Sequence, residues 1–165
     1  MDLVPRPLAF SAASLQGLSE RLIASHHQNN YTGAVKRLNA IRKQLDATDW
    51  PQAPGFVVNG LKREELIATN SMILHEVYFD SMGGGGQLQG PLADAIKRDF
   101  GSVERWRTEF TAMGKAEGGG SGWVILSYSP RAPSGAAAAA DGSARPARPS
   151  DAPRSPGARR ARPDR

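Results

Sequence analysis

Residues 23–45 read IASHHQNNYTGAVKRLNAIRKQL. Apolar or aromatic side chains recur at Ile23, His27, Tyr31, Ala34, Leu38, Ile41 and Leu45. Steps of three and four put them on one face of an α-helix. The pattern predicts a helix from about 14 to 28 that continues to about Leu45, with Gly33 marking a kink or break. Two consecutive histidines, His26 and His27, sit within the stripe. On a helix they point about 100° apart, so both cannot reach one metal ion. One is a candidate ligand and the other a packing group.

The same reading extends along the chain. TDWPQAPG (48–55) holds two prolines and reads as a loop. A helix is expected from a cap at Asn59 to about Met82. Its centre, MILHEVYF (72–79), is apolar nearly all round, which predicts burial on most sides. GGGG (83–86) ends it. Pro91 opens a further helix closing near Phe100, with Gly101 as its C-terminal cap and Ser102 as the next N-cap. Val103, Trp106, Phe110 and Met113 stripe that last helix. After GGGSG (118–122), WVILSYS (123–129) is rich in aromatic and β-branched residues and reads as a buried strand.

Beyond it the composition changes. Residues 131–165 use six residue types, and none of their apolar residues is larger than alanine or proline. Such a segment buries too little surface to offset an ordering cost of roughly 1–2 kcal/mol per residue, so disorder is expected. The formal net charge of +5 resides there. Residues 1–130 carry thirteen basic and thirteen acidic side chains, against eight arginines and three aspartates in 131–165. The folded part is therefore neutral, and its charge gives no reason to expect specific nucleic-acid binding.

Other classes are limited by what is missing. There is no cysteine, which excludes disulfides, thiolate metal sites and cysteine nucleophiles. The start, MDLVPRPLAFSAAS, makes a poor secretory signal. No apolar run approaches the roughly 18 residues of a membrane span, so no membrane association and a cytoplasmic location are expected. GGGGQLQG lacks the preceding strand and following GK[ST] of a phosphate loop, and Gly114-Lys115 is followed by Ala116. Both read as connectors. His75 lies mid-helix with Glu76 beside it, and Phe79 rules out HExxH. A buried histidine of this kind is either structural or a metal ligand.

Four blocks now stand in one order: HHQNNYTGAVKRLN (26–39), LHEVYFDSMGGGG (74–86), GPLADAIKRDFGSVERWRTEF (90–110) and GSGWVIL (120–126). Together they resemble the iron/manganese superoxide dismutase family over roughly residues 8–130. The resemblance implies an α+β fold: an N-terminal helical hairpin domain (1–86), then an α/β domain with a three-stranded antiparallel sheet. Only residues 87–130 of that second domain are legible, so it is expected to be incomplete and followed by a disordered tail (131–165). The resemblance further implies one Fe or Mn held by three histidines and an aspartate, superoxide as substrate, and a homodimer. His26 and His75 take the positions of the first two ligands. Trp123 matches a tryptophan lining the metal pocket. The gateway tyrosine falls on Ala34, and Tyr31 is the candidate to share its role.

The other two ligands belong to a D-x-W/Y-E-H motif. No histidine follows His75, and the late aspartates Asp141, Asp151 and Asp164 begin no such motif. The expectation is a dismutase by family whose site is half built and impaired, so this chain by itself is not expected to act as an enzyme. The alternative is a non-catalytic truncated or frameshifted fragment, since Ala, Arg, Pro, Gly, Ser and Asp are what GC-rich DNA yields in a wrong frame. A lone strand over 123–129 would leave both edges unpaired, from which poor stability and self-association are expected.

Overall fold

The computed structural model describes residues 1–117, 122–129 and 132–141. A 3-10 turn at Ala12–Ser14 precedes the first long helical run. That run comprises α1 (Glu20–Ser25), a π-helical turn (His26–Tyr31) and α2 (Thr32–Asp46). It begins at Glu20 rather than near 14, because the Ser19 hydroxyl accepts from the Leu22 N–H and caps it. The irregularity expected at Gly33 lies just before it, in the π-turn, and Gly33 itself is within α2.

α3 (Gly55–Asp80) packs along α1–α2 as the second arm of the hairpin. It starts four residues before Asn59, following Pro54 with its extended backbone. Two apolar clusters fill the seam. One joins Ile23, Tyr31, Val35 and Phe79, the other Leu38, Ile41, Leu45 and Ala68. Every position of the 23–45 stripe is buried except His27, which is half-buried. Within 72–79, His75 and Phe79 are buried, while Ile73 and Val77 are 45% and 58% exposed, so one strip of α3 is left uncovered among the described residues.

α4 (Gly90–Phe100) and α5 (Val103–Ala116) follow as expected. Gly101 adopts φ +85°, a left-handed conformation that glycine adopts without strain, and the Ser102 hydroxyl accepts from Arg105 N–H at 3.0 Å. Pro91 stands in the first turn of α4, where its missing N–H costs nothing. The stripe of α5 is half-buried rather than fully buried.

β1 (Gly122–Ser129) is the expected strand, but it is not alone. β2 (Ala132–Asp141) pairs with it antiparallel, from Trp123 opposite Ala140 to Ser127 opposite Ala136. The expected solitary strand is thereby corrected. A ladder needs N–H and C=O groups, which an alanine run supplies without large side chains. Pro133 lies where the register breaks, between Ser127 and Ser129, so its missing N–H interrupts no regular pairing. The rest of the expected tail, 142–165, lies outside the described residues. The architecture is thus an α+β chain: a helical hairpin, then two helices packed near a two-stranded sheet.

Leu38 is 1% exposed at the centre of the second cluster. Leu38→Ala is expected to lower the unfolding free energy by about 2–5 kcal/mol. Ile73→Ala on the exposed side of α3 should change it by about 0.5 kcal/mol or less. Urea titrations of both variants check the pair, and equal losses would contradict the one-sided burial of α3.

Candidate metal centre

His26 opens the π-turn and His75 lies in the last third of α3. Their Nε2 atoms face each other at 3.1 Å, with the rings nearly perpendicular. His75 is 6% exposed. Its Nδ1 lies 2.6 Å from the Ser71 carbonyl oxygen one turn earlier. A carbonyl only accepts, so Nδ1 carries the proton and the Nε2 lone pair points at His26. Such a bond on the remote ring nitrogen is the arrangement that orients metal-ligating imidazoles. By the same reasoning the proton between the two Nε2 atoms belongs to His26, which donates it to His75.

Aromatic side chains wall the pair. The Trp123 ring stands 4.9 Å from His75 and nearly perpendicular to it, brought there by β1. Tyr78 lies 5.2 Å from the His26 ring and 6.0 Å from Trp123. Phe79 contacts both histidine rings. Burial pushes the pKa of both histidines below the ordinary imidazole value, and a charge on His75 would lower His26 further. Burial likewise raises the Tyr78 phenol. The site therefore favours two neutral imidazoles, the form that binds a metal.

The expected site residues divide into two groups. His26, His75 and Trp123 meet. Tyr31 is fully buried beside them, yet its hydroxyl points elsewhere: it accepts from Arg6 N–H at 2.8 Å and donates to a Glu76 carboxylate oxygen at 2.8 Å. Ala34 is buried in the seam. His27 faces away from His75, and its Nε2 donates to the Arg6 carbonyl at 2.8 Å. Tyr78 and Arg6 did not stand out as site residues in the sequence, and Glu76 stood out only as the neighbour of His75. Tyr78 follows His75 by three residues, a helical spacing that could have found it. Nothing local links Arg6 to the hairpin.

The donor set can be tested against a metal. Two nitrogens each about 2.1 Å from one ion, at an angle of about 95°, stand about 3.1 Å apart. The separation of the two nitrogens is thus one that two candidate ligands of a single ion could have. Among the described residues no group of three or more His, Cys, Asp or Glu could hold a metal ion, and Glu76 is committed to Tyr31 and Arg6. Among the described residues no further side chain fills the remaining positions. No helix among the described residues is long and apolar enough to cross a membrane.

The lowered histidine pKa values set a pH dependence. Below about 6.5 the unfolded chain binds protons that the folded pair resists. Stability of the metal-free protein should therefore fall as pH drops through 6.5 and below, with no contribution from the pair at higher pH. Urea midpoints between pH 5 and 8 check this. His26→Gln should flatten the acid side, and an unchanged slope in that variant would remove the pair as its source.

Comparison with known proteins extends these observations. Residues 88–145 match the family described as iron/manganese superoxide dismutases, C-terminal domain. That match runs past residue 130, where the sequence reading ended the resemblance, and takes in β2. An iron superoxide dismutase of Cupriavidus metallidurans is 71% identical over 126 residues, covering 76% of this chain and 64% of that protein. A manganese superoxide dismutase of Haloarcula marismortui is 32% identical over 137 residues, covering 78% and 62%. An iron superoxide dismutase of Pyrobaculum aerophilum is 32% identical over 132 residues, covering 78% and 61%. The chain thus spans under two thirds of the length of each of these relatives.

Proposed function

The chain belongs to the iron/manganese superoxide dismutase family, and from that premise we propose that it carries the imidazole half of a dismutase metal site. The family cofactor is Fe or Mn. His26 and His75 would hold the ion through Nε2, and Trp123 with Tyr78 would exclude water from one side. A metal bound there supplies a one-electron couple, oxidising one superoxide and reducing another. What the chain's own residues do is bind and orient. The Ser71 carbonyl fixes the His75 tautomer, and burial keeps both imidazoles neutral. To ligate through Nε2 as a neutral imidazole, His26 would carry its proton on Nδ1 instead. The observation that carries the proposal is the 3.1 Å approach of two Nε2 atoms with one tautomer set.

In this reading dismutation by the chain alone is impaired. Two neutral ligands leave the ion's charge uncompensated, and no D-x-x-E-H follows His75 in the sequence. A homodimer, an antioxidant role and a cytoplasmic location go with the family reading and are proposed on the same footing. The second reading is a non-catalytic truncated or frameshifted fragment. It is favoured by the composition of residues 131–165, with eight arginines and no large apolar side chain.

Purified protein is expected to retain substoichiometric Fe or Mn and to give superoxide decay no faster than the free ion. His26→Ala and His75→Ala should each weaken Co(II) or Mn(II) binding about tenfold or more, since even outer-sphere partners of a ligand are worth about 10–100-fold. Metal content by mass spectrometry, stopped-flow decay and Co(II) titration measure these. Stoichiometric metal with strong metal-dependent activity would overturn the impairment. Binding indifferent to both substitutions would favour the fragment reading.

A further inference from the structure

Residues 1–10 run as an arm along the hairpin, and side chains of the first helical run capture its backbone. Asn39 accepts from Leu3 N–H at 2.9 Å and donates to the Leu3 carbonyl at 2.8 Å. Three residues on, the two peptide groups of Arg6 are used in the same way. Its N–H donates to the Tyr31 hydroxyl, and its carbonyl accepts from His27 Nε2. Pro5 and Pro7 restrict the backbone on either side of Arg6. The Arg6 guanidinium reaches Asp80 at 3.3 Å and Glu76 at 3.7 Å, both on α3. Lys43 pairs with Asp2, and Phe10 packs on Gly83.

Both side chains that capture Arg6 come from the π-turn. A π-turn carries i→i+5 bonds and is rare without external support. In α geometry residues five apart would point about 140° apart. The π-turn instead lets His26 face His75 while Tyr31, five residues on, lies buried in the same seam. Reverting to α-helix would rotate His26 relative to Tyr31 and α2. Among the described residues, the hydrogen bonds from turn side chains to another chain segment go to Arg6, Glu76 and His75.

We propose that the peptide groups of Arg6 are a positioning element: they hold the π-turn and so aim His26 Nε2 at His75. The guanidinium anchors the arm to α3, the helix that carries His75. The consequence for metal affinity rests on the proposed metal reading, whereas the geometric claim does not.

The test uses the full chain without metal, with the His26–His75 ring contact read by NMR and amide exchange read over residues 28–32. Tyr31→Phe removes the hydroxyl, and Arg6→Pro removes the N–H. Arg6→Ala keeps both peptide groups, and Lys43→Ala loosens the arm away from the turn. The ring contact should be lost, and exchange over 28–32 should rise about tenfold or more, in Tyr31→Phe and Arg6→Pro only. If Arg6→Pro fails to fold, Tyr31→Phe alone decides. A retained contact and unchanged exchange in a folded Tyr31→Phe overturns the proposal. So does loss of the contact in Arg6→Ala as complete as in Arg6→Pro, which would assign the effect to the guanidinium. Co(II) titration separates the two readings. Where the ring contact is lost, affinity should fall about tenfold. Co(II) binding that ignores His26→Ala would sink the metal reading and leave the positioning result intact.

Discussion

The burial of Tyr31 in the seam of the hairpin constrains most of what surrounds it. The side chain is 1% exposed, so its hydroxyl must find partners inside the protein. It finds the N–H of Arg6 and the carboxylate of Glu76. One phenol thereby joins the N-terminal arm, the first helical run and α3. The apolar part of the same ring packs with Ile23, Val35 and Phe79. Losing the hydroxyl would leave the Arg6 N–H and the Glu76 oxygen without this partner, so the cost would spread beyond one hydrogen bond.

The histidine pair depends on that junction from the other side. His26 and Tyr31 bound the same π-turn, and Glu76 follows His75 on α3. The pair is preorganised in three respects. Its distance suits one shared ion, burial disfavours protonation, and the Ser71 carbonyl fixes the tautomer of His75. Preorganisation of two candidate ligands is still not a complete site. A trivalent or divalent ion gains much of its affinity from anionic donors, and the carboxylate nearest His75 in sequence is already engaged with Arg6 and Tyr31.

The sheet illustrates a different balance. β1 carries large apolar residues at Trp123, Val124, Ile125 and Leu126, and its partner β2 offers alanine at each opposing position. Backbone pairing satisfies the polar groups of one edge of β1. It does not require the opposing strand to bring apolar bulk of its own. Trp123 nevertheless depends on β1 for its place beside His75, so the sheet contributes to the aromatic wall of the site even in this small form.

What the sequence determined by itself is whatever acts over a few residues. The 3.6-residue spacing marked the buried side of α1 and α2, the Gly101–Ser102 pair separated α4 from α5, and the branched and aromatic run at 123–129 made β1. The ordered blocks around His26, His75 and Trp123 carried the family and its candidate ligands. The tertiary structure alone decided the rest: the π-turn, the capture of Arg6, the tautomer-selected approach of His26 to His75, the exposed side of α3 and the pairing of β2. These rest on partners far apart in the chain, 25 residues for Arg6 and Tyr31 and 49 for His26 and His75. Periodicity says which side of a helix is apolar. It does not say whether a second element covers that side, or whose peptide group will meet a buried hydroxyl, because both follow from packing between segments that only the folded chain brings together.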